Sequence, residues 1–314
     1  MVSIYDDYSI IKFRPKHLPS IIKLYQESYG RSKPKKYFEH RLLSSPFGKP
    51  IIFLMKFHNQ IVGFYAIHPI KLTIKNRKIL GGYSFLTMTH PKHVGKGIFT
   101  TLASRTYQEA VKRKYNFVYG FANPNSYPGF IKKLGFTELG PINYLKIKKL
   151  SLKSMKIGKV QNHRFPRNAS QIWLDYEDKD AFLVRVERNE KFLIWRYKKN
   201  PIFRYLTCYS PGKYFFIFKK YDKTLHIIDF FGVGDNFYRV LLQISFKQAK
   251  KMSCDDVTLW IPKRHPISNI LKNVSIEKMN PKSFLILKVF NKKLVTTLQN
   301  FGNWYYTMGD ADIF

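Results

Sequence analysis

One stretch of the sequence combines residue types and a spacing that could bind a phosphorylated ligand. Residues 84–102 read SFLTMTHPKHVGKGIFTTL, which predicts a β-strand that runs into a glycine turn and then into a long helix. Glycine lets the backbone approach an oxygen-rich ligand closely, and the first N–H groups of a helix have no partner inside the helix. Together with the positive end of the helix dipole they favour a bound phosphate or pyrophosphate, and Lys96 and Lys92 add countercharge. The alternative interpretation is a turn that only connects a strand to a helix.

The elements around this turn alternate between strands and helices. In the first half, the pattern of apolar residues and turn signals predicts strands at 9–14, 50–56, 61–74, 79–89 and 117–122, with helices at 19–29, 35–43, 97–114 and 126–134. In the second half it predicts helices at 190–198, 237–251 and 266–273, with strands at 214–220, 224–231, 257–261 and 283–290. The fold class is therefore α/β, in the mixed-sheet (α+β) form.

The order of elements in the first half returns in the second. Residues 94–99 can be laid over residues 233–238, and the helices that follow then align at several apolar positions. Identity is low, so the sequence indicates a diverged duplication, with two unrelated domains as the alternative. We place the first domain at 1–150, a linker at 151–167 and the second domain at 168–314.

The glycine turn and a second motif carry a resemblance to a known family. Residues 117–136 read FVYGFANPNSYPGFIKKLGF, a buried strand, a short helix and a closing Leu-Gly-Phe. With residues 84–102, this segment resembles the GCN5-related N-acetyltransferase (GNAT) family over roughly residues 8–150. The resemblance implies two GNAT-like domains, each a mostly antiparallel central sheet flanked by helices. It also implies acetyl-CoA, or another acyl-CoA, as co-substrate, bound where the fourth strand splays from the fifth.

The resemblance carries over the cofactor-binding residues by position. The splayed strand would bind the pantetheine arm through Thr87, Met88 and Thr89. The loop would wrap the pyrophosphate with Val94, Gly95, Lys96, Gly97, Ile98, Phe99 and Thr100, and Asn123 or Asn125 would hold the other side of the arm. The sequence departs from the family at Val94, where Gln or Arg is usual, and at Phe99, where Gly or Ala is usual.

Candidate catalytic residues are harder to assign because the expected carboxylate is absent. No Asp or Glu lies between Glu39 and Glu109, so the strands of this region cannot supply the glutamate that many family members use. A base is needed to take a proton from an amine acceptor. The sequence leaves Glu39, His90, Glu27, His68 and an acidic tail at 310–312 as alternatives. The family's tyrosine acid is replaced by Ile131, so Tyr127, one turn earlier, is the substitute.

Composition excludes several other classes of protein. The chain has 314 residues, 55 Lys+Arg against 20 Asp+Glu, a formal charge of +35, 45% hydrophobic residues and two cysteines. It can bury a core, and it has no disulfide framework and no metal-ligand spacing. It contains no GxSxG, HExxH or Walker motif, so hydrolase, zinc and NTPase readings have no support. Without a signal peptide or an apolar run of membrane-spanning length, we expect a cytoplasmic protein with no metal.

These observations predict an acetyl-CoA-dependent N-acetyltransferase that acts on a small amine by direct transfer in a ternary complex. An amino sugar or sugar nucleotide for surface polysaccharide is the preferred acceptor. The second half, where Asp235 and Asn236 replace Lys96 and Gly97 of the loop, is expected to be degenerate and to serve acceptor binding or support. The positive charge suits any anionic partner, so nucleic acid is possible but not favoured. The alternatives are an aminoacyl-tRNA-dependent peptidyltransferase with paired GNAT-like domains and a non-enzymatic module that binds anionic surfaces.

Overall fold

The computed structural model divides the chain into two compact units. It describes residues 7–149, 161–162, 165–166, 168–177, 182–234, 236–272, 274–280 and 283–314. The first unit takes its described residues from Met1–Leu72, Arg77–Leu139 and Leu285–Gln299, and the second from Thr73–Asn76, Gly140–Phe284 and Asn300–Phe314.

The first unit begins with a strand and two helices that precede its main strands. Its elements are β1 (Tyr8–Lys12), α1 (Leu18–Tyr29), α2 (Lys35–Leu43), β2 (Ile51–Phe57), β3 (Gln60–Ile74), β4 (Arg77–Thr89), α3 (Ile98–Lys112), β5 (Phe117–Ala122), a π-helical turn (Gly129–Lys133) and β6 (Thr137–Pro141). Apart from β6, which the sequence did not predict, these elements match the strands and helices predicted in the first half, with ends that differ by one or two residues for most of them. Helix α1 ends at Gly30, which has the left-handed φ of 63° that glycine tolerates.

The second unit repeats this kind of arrangement. Its elements are β7 (Tyr144–Lys149), β8 (Gln161–Asn162), α4 (Ala169–Glu177), β9 (Val184–Val186), α5 (Glu190–Leu193), a π-helical turn (Ile194–Lys198), β10 (Leu206–Ser210), β11 (Tyr214–Tyr221), β12 (Thr224–Gly232), α6 (Phe237–Lys251), β13 (Asp256–Trp260), α7 (Ile267–Leu271) and β14 (Ser275–Lys278). The chain then returns to the first unit with β15 (Phe284–Val289) and α8 (Val295–Gln299).

The two sheets follow the same order of strands. The first runs β1-β2-β3-β4-β5-β15-β6, and the second runs β8-β10-β11-β12-β13-β7-β14. In each sheet a parallel pair, β4 with β5 or β12 with β13, stands among antiparallel neighbours. The mixed α/β class with two helix-flanked sheets is thus confirmed.

The sixth place of each sheet is filled from the other half of the sequence. Strand β7 lies between β13 and β14, and β15 lies between β5 and β6. The compact units therefore do not follow the contiguous ranges 1–150 and 168–314, because residues 140–149 belong to the second unit and 285–299 to the first. Most of the expected linker 151–167, and Asp235, lie outside the described residues.

Apolar side chains form a core on both faces of the first sheet. Leu24 of α1 and Phe38 of α2 are fully buried, as are Phe64 of β3 and Leu102 of α3. Helix α3 can lie close to β3 because Gly63 has no side chain, and a Cβ there would meet Ile98. This contact fixes the start of α3, and with it the glycine turn, against the sheet. In the described part of the chain, no helix is long and apolar enough to cross a membrane.

Candidate active site

Strands β4 and β5 separate part of the way along their length. Their parallel pairing joins Gly82 to Val118 and Tyr83 to Tyr119, although β4 continues to Thr89. Three residues after the last pair, Leu86 has a φ of 48°, a left-handed conformation that is unusual for a residue with a side chain. A residue of this kind inside a strand marks a bulge that redirects the strand. The result is a gap between the second half of β4 and β5.

The edge of β4 that faces this gap already bonds to hydroxyl groups at the end of α1. The N–H of His90 bonds to the carbonyl of Val62 on β3, so the backbone groups of Thr87 and Thr89, which alternate with it, point to the other side. Tyr29 Oη donates to the Thr87 carbonyl at 2.8 Å, and Ser28 Oγ donates to the Thr89 carbonyl at 3.3 Å. Each carbonyl keeps a second lone pair and each residue keeps its N–H, so this edge can still bind the amides of a ligand.

The loop after β4 leaves the first amides of α3 without a side-chain cap. Gly95 and Gly97 have φ values of 85° and 74°, and Gly97 is the N-cap of α3. The first backbone bond of the helix runs from Thr101 N to Gly97 O, and Thr100 Oγ1 donates to the same carbonyl at 2.8 Å. No acidic side chain lies in the first turn. The N–H groups of residues 98–100 are therefore available to bind an anion, as at other phosphate-binding helix N-termini.

Open space and positive charge surround this loop. A Cβ at Gly95 would meet no atom within 4 Å, and Val94 is 68% exposed. Lys96 Nζ lies 5.8 Å from the ring of Tyr8, whose hydroxyl bonds to His93 Nδ1 at 2.7 Å. Burial lowers the pKa of His93, and the nearby Lys96, His90 and Lys92 lower it further. His93 is thus neutral near pH 7, and the lysines supply the loop's charge.

The turn after β5 holds the predicted asparagines beside the gap. Asn123 Oδ1 accepts the N–H groups of Asn125 and Ser126 at 3.0 Å each, so this side chain caps the helical turn that follows. Asn125 is exposed. The turn continues through the π-helical residues and stops at Gly135, whose φ is 65°.

Phe99 spans the distance between the two helices that flank the gap. Its ring lies 5.3 Å from the ring of Phe130, on the segment after β5, and 5.8 Å from that of Tyr65 on β3. A Cβ at Gly129 would be only 2.9 Å from the Phe99 ring, so the absence of a side chain there is what admits the ring. Phe99 therefore packs beneath the loop and next to the gap.

His90 makes a hydrogen bond at one ring nitrogen and lies near a carboxylate at the other. Its Nδ1 accepts the N–H of Lys92 at 3.2 Å, and its Nε2 lies 3.6 Å from Glu27 Oε2. Glu27, on α1, also lines a cleft of about 450 Å³ together with Ser20, Lys23 and residues 57–61. Two of the candidate bases are thus brought together at the end of β4.

Glu39 and Tyr127 have different surroundings. Glu39 lies on α2, where its half-exposed carboxylate is 3.3 Å from Lys35 one turn earlier. Tyr127 donates a hydrogen bond to the carboxylate of Glu138, and this bond raises the pKa of the phenol. Tyr127 is therefore protonated at neutral pH.

Two further candidate bases, His68 and Asp310, are buried. Burial lowers the pKa of His68 well below its usual value, with Arg41 and His40 adding to the effect. In the second unit, Asp310 is buried against Arg188, at 3.0 Å, and does not face solvent. Neither group is placed to take a proton from an external amine.

The sequence did not predict the two hydroxyl groups of α1 that donate hydrogen bonds to carbonyls of β4. Ser28 and Tyr29 stand directly before Gly30, so two donors end a helix whose last turn is fixed by a glycine. Such a pair beside a helix stop could have indicated a contact with the neighbouring strand. The bulge at Leu86 could not be predicted from the sequence, because a leucine does not indicate a positive φ, which this residue type rarely adopts.

A comparison with known protein families matches the segment that carries this site. The family model described as "Acetyltransferase (GNAT) domain" matches residues 9–139, which include the gap, the loop and the asparagine turn. Residues 9–139 are a GNAT domain. The expected enzyme class, an acyltransferase, is confirmed by this domain. No curated protein is similar enough in sequence to match the chain.

Solved structures extend the likeness of fold beyond the GNAT domain. A GCN5-related N-acetyltransferase from Kribbella flavida matches 93% of this chain and 73% of its own, with 10% identity and a TM-score of 0.72. A probable N-acyltransferase from Enterococcus faecalis matches 90% and 72%, with 12% identity and a TM-score of 0.71. The N-myristoyltransferase of Saccharomyces cerevisiae, with bound myristoyl-CoA, matches 92% and 84%, with 11% identity and a TM-score of 0.63. At these identities the likeness shows the fold.

Proposed function

We propose that the GNAT domain binds acetyl-CoA in the gap between β4 and β5 and transfers the acetyl group to a small amine. The observation that supports this most directly is a splayed parallel pair, bulged at Leu86, that leads into a loop with open glycines and uncapped helix amides. An extended ligand with a diphosphate at one end fits such a site. The myristoyl-CoA bound to the yeast neighbour supports an acyl-CoA as co-substrate.

In this proposal, the backbone of Thr87, Met88 and Thr89 binds the amides of the pantetheine arm. The pyrophosphate lies against the residues of the loop and the first turn of α3, which are Val94, Gly95, Lys96, Gly97, Ile98, Phe99 and Thr100. Asn125, and the backbone around Asn123, border the other side of the arm. The Asn123 side-chain oxygen caps its own turn, so its amide group is the part that a ligand could use.

The transfer itself is direct attack of the amine on the thioester, with both substrates bound. The amine nitrogen forms a bond to the acyl carbon, the C–S bond breaks, and a base takes the proton of the amine. We assign the proton of the departing thiolate to Tyr127, which is protonated at neutral pH. Of His90 and Glu39, His90 is the better-placed base, because it follows the pantetheine strand directly, whereas Glu39 pairs with Lys35 on α2. To accept a proton at Nδ1, His90 must release the N–H of Lys92.

The cleft beside Glu27 has room for a small acceptor. Its volume of about 450 Å³ falls within the range of ordinary ligand sites. Polar groups line it, including Ser20 and residues 58–60. A sugar amine, free or on a nucleotide, suits this lining and the basic loop nearby, and is the first acceptor to test.

Equilibrium binding of CoA to the full chain tests the proposal. Gly97→Glu places a carboxylate at the start of α3 and should weaken CoA binding by more than about tenfold, because it repels the diphosphate and strains a positive φ. Gly212→Glu is the matched control, since Gly212 has a φ of 64° and open space around it but lies in the second unit. It should bind CoA like the wild type. Wild-type protein that does not bind CoA, or equal losses in both variants, would contradict the proposal.

A further inference from the structure

The side chain of Phe99 connects the two segments between which a ligand of the gap must pass. Helix α3 follows β4, and the helical turn with Gly129 follows β5, so the two segments continue from the two strands that separate. The Phe99 ring starts on the first of these segments and ends against the second. The ring thus bridges the two segments at the helix side of the gap.

The ring is half-buried and has one apolar side fixed. Phe130 and Tyr65, both buried, contact it from below at centroid distances of 5.3 and 5.8 Å. The Phe130 ring continues this packing to Phe136 at 5.0 Å. Such a stack of rings holds Phe99 in one orientation, and part of its surface remains exposed.

We infer that the Phe99 ring is the floor of the acyl-CoA site and contacts the pantetheine arm, not the phosphates. This inference rests on the proposed function, because it takes the arm to run along β4 toward the loop. The phosphates are bound by backbone N–H groups and lysines, which an aromatic ring cannot replace. The arm carries apolar methylene and methyl groups, and these bind favourably to an aromatic face.

Two ligands separate contact with the arm from contact with the phosphates. CoA contains the arm, whereas adenosine 3′,5′-bisphosphate lacks it but keeps phosphate groups of the same nucleotide. In Phe99→Ala, the Kd for CoA should rise by about tenfold, which corresponds to the loss of one buried aromatic contact. The Kd for adenosine 3′,5′-bisphosphate should stay within about twofold of the wild type. Phe99→Leu keeps an apolar side chain, so its Kd for CoA should lie between those of the wild type and Phe99→Ala.

Gly129 offers a second variant that leaves Phe99 in place. Gly129→Ala puts a methyl group about 2.9 Å from the ring and must displace it. CoA binding should weaken, and adding Gly129→Ala to Phe99→Ala should cause no further loss, because the clash is then gone. Circular dichroism of each variant confirms that the chain still folds.

The outcomes distinguish the inference from the proposed function. If the wild type binds neither ligand, the proposed function fails and the inference fails with it. In another outcome, the wild type binds both ligands while Phe99→Ala weakens the binding of both equally, or of neither. In that case the proposed function stands, and the inference that Phe99 contacts the pantetheine arm is disproved. Tighter CoA binding by Phe99→Ala would also disprove it, since the ring would then block the arm. A selective loss of CoA affinity that Phe99→Leu partly restores supports the inference.

Discussion

The gap of the first unit and the corresponding gap of the second are built alike but filled differently. In the second unit, the parallel pairing of β12 with β13 runs from Thr224 to Ile227, while β12 continues to Gly232. In the pairing of β12 with β11 the register shifts at Ile228. Strand β12 therefore also bulges just after its last parallel pair. A tyrosine hydroxyl then bonds to the strand beyond each bulge, from Tyr29 to Thr87 and from Tyr305 to Phe230.

The second gap holds a segment of the chain itself. Asp229, on β12 after the bulge, accepts bonds from Arg188 at 2.8 Å and from Thr307 at 3.1 Å. Arg188 also bonds to Asp310, and a Cβ at Gly309 would collide with Tyr197 and Asp229. Residues 305–314 therefore pack tightly against β12, whereas the bonds to the corresponding edge of β4 come from the end of α1. The ring of the last of them lies 5.0 Å from that of Trp260, at the end of β13.

This difference teaches that a splayed strand pair does not by itself make a ligand site. Both gaps have the bulge, a strand edge beyond the parallel pairing, a glycine with open space and a helix start without a side-chain cap, but only the first loop has a second glycine, Gly97, at the helix N-cap, where α6 has Asn236. In the second gap, buried carboxylates face the space that a phosphorylated ligand would approach, which is unfavourable for an anion. The proposed division of roles, with CoA in the first unit and support or acceptor binding in the second, follows from this contrast.

Removing the arginine of the second gap should have the largest effect. Arg188→Ala leaves two buried carboxylates, Asp229 and Asp310, without their cation, and it should lower the free energy of unfolding by about 3–5 kcal/mol. Urea unfolding followed by circular dichroism measures this. Arg113→Ala, which breaks the partly exposed pair with Glu109, should lower it by less than about 1 kcal/mol. Similar losses in the two variants would show that the packed segment does not stabilise the second unit.

Tyr127→Phe tests the acid of the first gap. If Tyr127 protonates the departing thiolate, the substitution should lower kcat about 100-fold and leave the KM for acetyl-CoA nearly unchanged, because general acids contribute at least this much. Steady-state kinetics with a reactive amine measures both constants. Tyr221→Phe, at an exposed position of the second unit, should keep full activity. An unchanged kcat in Tyr127→Phe would show that Tyr127 is not the general acid and only makes a hydrogen bond to Glu138.

A buried histidine should make the second gap sensitive to acid. Burial, and secondarily Lys219, lowers the pKa of His226 to about 4, while the unfolded chain titrates near 6.5. Between these values the unfolded state binds more protons, so the stability contributed by neutral His226 is complete above pH 6.5 and is lost as the pH falls toward 4. From pH 8 to pH 5 the loss should be about 2 kcal/mol.

His226→Gln should flatten that pH dependence. The variant also loses the imidazole bond to Thr258 Oγ1, so its stability at pH 8 will be lower, but the slope with pH is the informative quantity. Urea unfolding at pH 8, 6.5 and 5 gives the slope. His58→Gln, at an exposed turn of the first unit, should keep the wild-type slope. An unchanged slope in His226→Gln would show that other groups carry the acid sensitivity.

Local signals in the sequence predicted much of the first unit. The β-branched and aromatic residues of 61–74 and the glycine after 126–134 gave elements that the structure confirms, and the helix predicted at 237–251 coincides with α6. The exchange of β7 and β15 between the sheets was not predictable, since no local pattern states which strand a segment will pair with. The sequence comparison between the halves aligned α3 with α6, yet it could not show that residues 305–314 would enter the second gap.

The sequence predicted those parts of the candidate site that depend on the backbone conformation of the glycine loop. Glycines at 95 and 97 indicate positive φ values directly, and both have them. Side chains that act across the fold were harder to predict. Asn123 and Thr100 look like ligand groups in the sequence but use an oxygen to bond to their own turn, and the buried cluster of Arg188 joins residues more than 100 positions apart.

The smallest expected effect comes from making the first loop resemble the second. Lys96→Asp introduces the acid that the aligned second loop carries at 235 and should weaken CoA binding about tenfold, mainly through charge repulsion near the diphosphate. Because exposed charges are screened by salt, the loss should shrink to about threefold at 0.5 M NaCl. Lys114→Asp changes the net charge equally but lies beyond the far end of α3, so it should bind CoA like the wild type at both salt concentrations. Equal losses in the two variants would mean that CoA responds to the overall charge of the protein. A loss confined to Lys96→Asp would mean that the loop's own charge, and not only the glycine at the helix N-cap, distinguishes the first gap from the second.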